Sequence, residues 1–176
     1  TDEAFFQLMS VSGSGVLKLL GIPAAQASDY RFRAIALKDK KLQPDIEGLP
    51  LLESQNQRII IEFQGYKDKF IRYRLLSEAL WGCWQEDYEG EVLAAIIFTE
   101  KQYQTAALPL QLFPETADCR LRTCCLELAL TDFTEDELSA IDRNLVVFAP
   151  FTVAKNTDKS ILLEKGLKWQ AQVKQV

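Results

Sequence analysis

The sequence predicts an α/β domain in which helices flank a mixed central sheet, with its elements in the order helix, three strands, helix, strand. Three stretches predict it: the β-branched run RIIIEFQ, the amphipathic FIRYRLLSEALWGCWQE, and the continuously apolar VLAAIIF. A strand that is apolar on both faces belongs inside a sheet covered on both sides. A helix between two such strands has the length a parallel crossover needs. With 176 residues, 48 % of them apolar and 26 % charged, the chain is long enough for one substantial core. Residues 1–176 are therefore read as a single domain, with a core over about 1–130 and a C-terminal extension over about 131–176.

The elements follow in order. From Glu3 to Leu20 the sequence predicts a helix that buries Phe5, Leu8, Met9, Val16, Leu17 and Leu20, with a break or turn at SGSG. Gly21 and Pro23 supply its stop signal. Tyr30 to Leu37 alternates as a strand, PDIEGLPLLE gives a second, and Arg58 to Gln64 a third, with Glu53 to Gln57 as the connection. In the following helix, Phe70, Tyr73, Leu76, Leu80 and Trp84 form the stripe expected to pack on the sheet. Val92 to Phe98 is the buried parallel strand, and Arg120 to Leu130 adds another. Thr134 with Glu137 is a capping box that opens a short acidic helix to Asp142. DKSILLEKGLKWQAQVKQV reads as a last helix, weakened at Gly166. No internal repeat or low-complexity tract interrupts this order.

Composition removes several kinds of chemistry. The chain has no histidine, so Ser/His/Asp and Cys/His catalysis, histidine metal sites and histidine-base nucleases are all excluded. Cys83, Cys119, Cys124 and Cys125 form no CxxC pair and sit among apolar residues, as buried reduced thiols do. The longest apolar run is too short to cross a bilayer, and TDEAFFQLM lacks the layout of a signal peptide, so a cytoplasmic location without membrane contact is expected. A net charge of −5 argues against indiscriminate coating of nucleic acid. Basic residues nevertheless cluster locally, with Arg31, Arg33, Lys38, Lys40 and Lys41 before Asp45 and Lys67, Lys69, Arg72 and Arg74 after Glu62.

Glu62 is the residue that stands out. It follows three isoleucines in a strand, where a carboxylate costs desolvation energy unless a proton, a partner or a cation offsets it. Residues two apart share a strand face, so Glu62 and Gln64 point together. If Asp45 lies on the neighbouring strand, its carboxylate converges with theirs. Two carboxylates, a backbone carbonyl and water suit a hard cation such as Mg²⁺, which can activate water beside a phosphodiester. The alternatives are ordinary: Asp45 as a turn residue, Glu62 paired with Arg72, Arg74 or Lys38, and Gln64 as a strand end.

TDEAFF, LLGIPA, YRFRAIALK, PDIEG, IEFQGYKDKFIRYR and VLAAIIF occur in an order that resembles the PD-(D/E)xK nuclease superfamily. The closer resemblance is to its Rpn-like, transposase-associated family of cyanobacterial type. The match covers roughly the first two thirds of the chain. It implies a restriction-endonuclease-like core in which Asp45 and Glu62 hold Mg²⁺, or Mn²⁺, and Gln64 stands where lysine is usual. Glutamine can neither carry the positive charge of lysine nor take a proton from water, although some restriction endonucleases of the superfamily use one there. The Phe63 carbonyl would complete part of the metal shell. Glu3 or Asp2 would be an accessory ligand, Glu47 an alternative second acidic residue, and Lys38, Lys67, Arg72 and Arg74 the phosphate contacts.

The expected function is metal-dependent endonucleolytic cleavage of DNA, associated with recombination or mobile elements, with a homodimer serving to cut both strands. Two other readings stand beside it. One is a nuclease-fold module that binds DNA or protein without cutting. The other is an oligomeric scaffold with an exposed patch around Trp81, Trp84 or Leu162, Leu163 and Trp169.

Overall fold

The computed structural model describes residues 2–35, 49–55, 57–105, 125–154 and 156–174. Helix α1 (Asp2–Leu19) and a short helix α2 (Ala24–Ala27) precede strands β1 (Arg31–Ile35), β2 (Leu49–Glu53) and β3 (Gln57–Gln64). Helix α3 (Ile71–Gln85) then leads to β4 (Glu91–Phe98), and after it come β5 (Cys125–Ala129), α4 (Glu135–Ile141), a 3₁₀ segment (Arg143–Thr152) and α5 (Lys159–Val173).

The five strands lie side by side in chain order. β1 pairs antiparallel with β2 and β2 with β3, while β3–β4 and β4–β5 are parallel. α3 is thus the crossover between two parallel strands. A mixed sheet built this way and flanked by helices is consistent with a restriction-endonuclease-like core.

β3 sits in the middle of the sheet, and its alternation assigns the two faces. Ile59 and Ile61 pack with Met9, Val16 and Leu17 of α1 and with Leu145 and Phe148 of the 3₁₀ segment. Ile60 packs on the opposite face with Ile71, Leu75 and Ala79 of α3 and with Ala94, Ile96 and Phe98 of β4. This burial on both faces is why β3 and β4 are apolar along nearly their whole length.

Two expectations need correction. α1 runs unbroken through SGSG. Its glycines serve close approach: a Cβ on Gly13 would stand 3.1 Å from a Leu52 methyl, and one on Gly15 would stand 3.1 Å from Leu145 Cγ. The helix ends where predicted, at Gly21 with φ +89°.

On α3, the stripe of Phe70, Tyr73, Leu76, Leu80 and Trp84 is not the buried one. Leu80 and Trp84 are each 72 % exposed and Phe70 is 52 % exposed, while Ile71, Arg72, Leu75, Glu78, Ala79 and Gly82 face the sheet. Ala79 and Gly82 let the helix settle onto β3 and β4 at a distance that bulky rings would not allow.

The capping box is present, with Thr134 and Glu137 each accepting from the other's backbone N–H. Leu138, Leu145 and Phe148 belong to the same apolar cluster as Met9, so the C-terminal elements close the α1 face of the sheet. Lys18 and Asp142 tie them together at 2.5 Å.

Candidate functional site

Glu62, Phe63 and Gln64 are the last three positions of β3, and Glu62 and Gln64 lie on the face that α3 covers. Phe63, between them, turns its ring to the other face and stacks on Phe148 with centroids 5.7 Å apart. In the sheet register Glu62 lies beside Ile96 of β4, and Ile96 beside Glu127 of β5. Two carboxylates therefore flank an isoleucine across three strands, about 10 Å apart at the usual strand spacing. α3 lies over this row and sends an arginine to each side.

The two pairs differ in burial. Arg72 is 2 % exposed; its Nε and Nη2 meet the Glu127 carboxylate at 2.5 and 2.8 Å, and Nη2 also donates to the Thr105 carbonyl at 2.9 Å. Arg72, expected as a phosphate contact, has its guanidinium enclosed: Nε and Nη2 are engaged by β5 and the segment after β4, and Nη1 is buried without a hydrogen-bond partner among the described residues. Arg74 and Glu62 form the open pair at 3.1 Å, with 39 % and 19 % of their side chains exposed.

One nitrogen of Arg74 gathers three oxygens. Nη2 stands 3.1 Å from Glu62 Oε1, 3.3 Å from Gln64 Oε1 and 3.4 Å from Asp68 Oδ2. Burial works against the charge on Arg74, yet Glu62, Glu78, Tyr66 and Asp68 together raise its pKa above the ordinary value. On the other side of the same cation, Glu78 is 8 % exposed. Burial pushes its carboxyl pKa up, and Arg74 pulls against the shift. Arg74 thus meets these carboxylates while 39 % of its side chain stays in solvent.

Gln64 is held from both ends. Its Nε2 donates to the Tyr66 carbonyl at 2.8 Å, its Oε1 accepts from Arg74, and its backbone carbonyl accepts from Thr99 N–H at 3.0 Å. With 1 % exposure it is fixed in one rotamer.

Asp68 was not singled out in the sequence, because an aspartate in a polar loop reads as a turn residue. It does make that turn, since its Oδ1 accepts from Phe70 N–H at 2.8 Å, but its other oxygen faces Arg74. Asp45, Glu47 and Lys38 lie outside the described residues. Asp2 and Glu3 fall in the first turn of α1, and their side chains are likewise outside them. Lys67 is exposed on the loop after β3.

Among the described residues no group of three or more acidic, cysteine or histidine side chains could hold a metal ion. The set at Arg74 is different in kind: two carboxylates and an amide oxygen. Oxygen donors of this type suit Mg²⁺ or Mn²⁺ in kind, and a cationic nitrogen now stands among them.

The far end of β3 holds a groove of about 760 Å³, lined by Gln57, Glu86, Asp87, Tyr88, Glu89 and Glu91 among others. Its acidic lining repels phosphate. Glu86 is also already committed to Arg33 and Arg58, at 2.5 and 2.9 Å. The candidate site is therefore taken at the Glu62 end.

No helix of the described residues is long and apolar enough to cross a membrane. No curated protein and no solved structure matches the chain. A family model does match, over residues 1–140, and those residues include β3, α3 and every member of the Arg74 cluster. The chain belongs to DUF2887, a family of proteins of unknown function.

Proposed function

We propose that the chain is a metal-dependent DNA endonuclease of the PD-(D/E)xK type, acting in the cytoplasm and associated with recombination or mobile elements. The reading rests on one observation: three oxygens, from Glu62, Gln64 and Asp68, converge at the end of the central strand of a mixed sheet. Glu62 and Asp68 would hold Mg²⁺ or Mn²⁺ together with Asp45. Once bound, the ion supplies positive charge at the phosphodiester and a more acidic water.

The rest falls to the chain's own groups. Gln64, anchored through its Nε2 on the Tyr66 carbonyl, would turn the amide oxygen that Arg74 now engages toward the attacking water. The exposed Lys67 lies on the loop that leaves β3 and holds the phosphate backbone. Arg74, which holds that place among the oxygens, would have to yield it to a bound cation. A homodimer would bring two such sites to the two strands of a duplex.

A second reading, a nuclease-fold module that binds without cutting, is favoured by the closure of this same cluster. Gln64 is buried with both amide ends engaged, and Arg74 already neutralises Glu62.

Incubation of supercoiled and linear DNA with Mg²⁺ or Mn²⁺ decides between them. The endonuclease reading expects metal-dependent nicking and linearisation by the native protein. Folded Glu62→Ala and Asp45→Ala variants should lose at least about a hundredfold, as when a group that acts on transition-state charge is removed. A well-folded native protein that leaves all DNA forms intact selects the binding module.

A further inference from the structure

The loop between β3 and α3, GYKDKF, sorts its side chains into two directions. Asp68 turns inward to Arg74 and to Phe70 N–H. Tyr66, Lys67, Lys69 and Phe70 turn outward, with 59 % of Tyr66 and 52 % of Phe70 in solvent. Two large rings left open in one short loop call for an explanation, since rings of this size are ordinarily covered.

The loop holds the backbone beneath its rings in place. The Tyr66 carbonyl accepts from Gln64, and Phe70 N–H donates to Asp68, so both aromatic residues are pinned through their backbone to the cluster beneath them. Phe70 also packs edge-on to Tyr73, with centroids 6.1 Å apart and planes at 68°, and Lys69 lies 4.8 Å from its ring. Exposed rings that flank two lysines present π-faces and positive charge together.

That combination selects a polyanion with accessible flat faces. A chain of net charge −5 turns two cations and no anion outward on this loop, which matches phosphate. Rings can stack only on bases that are not already stacked and paired, and base-on-aromatic stacking is how unpaired strands are gripped without sequence preference. In a duplex the base faces are hidden and only the lysines would find a partner.

We infer that the β3–α3 loop is a stacking platform for an unpaired DNA strand, with Tyr66 and Phe70 receiving bases and Lys67 and Lys69 the intervening phosphates. The inference rests on the nucleic-acid reading of the neighbouring site and names its substrate class: single-stranded DNA, or duplex carrying unpaired nucleotides.

The test is fluorescence anisotropy of a fluorescein-labelled oligothymidylate and of a length-matched duplex, with chelator present so that binding is read without cutting. The native protein should bind the oligothymidylate more tightly than the duplex. Tyr66→Ala and Phe70→Ala should each weaken single-strand binding about tenfold, with Tyr66→Phe retaining it. Lys67→Gln with Lys69→Gln should flatten the salt dependence by about one to two in log–log slope.

Equal affinity for duplex, or unchanged affinity in both alanine variants with native thermal melts, overturns the platform. That result leaves the endonuclease reading standing if metal-dependent cutting is present. Conversely, ring-dependent binding of oligothymidylate by a protein that cuts nothing keeps the platform and removes the endonuclease.

Discussion

Arg74 is a cation built into a place where a metal ion is expected, so its removal should expose the difference between the two. With Arg74→Met the oxygens of Glu62 and Asp68 face each other without a neutralising charge. In metal-free buffer the variant should lose about 1–3 kcal/mol of stability, the usual result of breaking a partly buried pair from one side. Added Mg²⁺ or Mn²⁺ should return most of that loss, read as a rise in melting temperature larger than in the native protein. A melt that ignores both ions would mean that the oxygens do not form a cation site.

At this scale the sequence was informative about Glu62, because a carboxylate after three isoleucines conflicts with its surroundings. It was silent about Asp68 and Glu127. Neither conflicts with its neighbours in sequence, and only the sheet register and the path of α3 bring them into charged contact.

Among the elements, α3 shows why periodicity can find a helix and still misjudge its face. Two stripes at helical spacing run along it. One is rich in rings, Phe70, Tyr73, Leu80 and Trp84; the other is made of Ile71, Leu75, Ala79 and Gly82. Side-chain size favours the first, but the second carries the small Ala79 and Gly82 that let the helix lie close to the strands. Ala79→Leu should therefore cost about 1–3 kcal/mol through overpacking, whereas Leu80→Ala and Trp84→Ala should each stay within about 0.5 kcal/mol of the native protein in urea denaturation.

α1 carries the same lesson in reverse. Gly13 and Gly15 look like breakers and are contact points. The 3₁₀ segment had no legible signal, because its buried Leu145, Val146, Phe148 and Ala149 follow neither the strand nor the α-helix period.

At the scale of the whole molecule, three joints between elements are carboxyls whose pKa is held down. Hydrogen bonds from Arg33 hold the Glu86 carboxyl below its ordinary pKa against the cost of burial, joining β1 to the end of α3. At Asp142 burial pushes the pKa up but is outweighed by Lys18 and Asn144 N–H, joining α1 to the 3₁₀ segment. Glu135 follows the same pattern, with burial overcome by Lys168 and Lys165 of α5.

A carboxyl whose folded pKa is lowered contributes stability that is present above its unfolded pKa and lost as pH falls through the folded one. The protein should therefore lose stability steadily on acidification below the ordinary carboxylate range. Asp142→Asn should cost about 2 kcal/mol at neutral pH and approach zero cost in acid, as read from urea midpoints across pH. A pH-independent cost would assign Asp142 a packing role alone. The order of layers that these joints hold was legible in the sequence, since helix, strand and crossover lengths follow from period alone; the joints were not, because each partner lies far away in the chain.

The two arginines of α3 also settle something that apolar packing leaves loose, the phase of the helix about its own axis. Arg72 and Arg74 are two residues apart, so they leave the helix about 200° apart in direction. Each meets a carboxylate on opposite sides of Ile96. A one-residue slip would rotate α3 by about 100° and unseat both at once, while the apolar stripe could partly re-form on its ring-rich side. The row of Glu62 and Glu127 acts as a lock cut for two teeth, and it admits α3 in one rotation only.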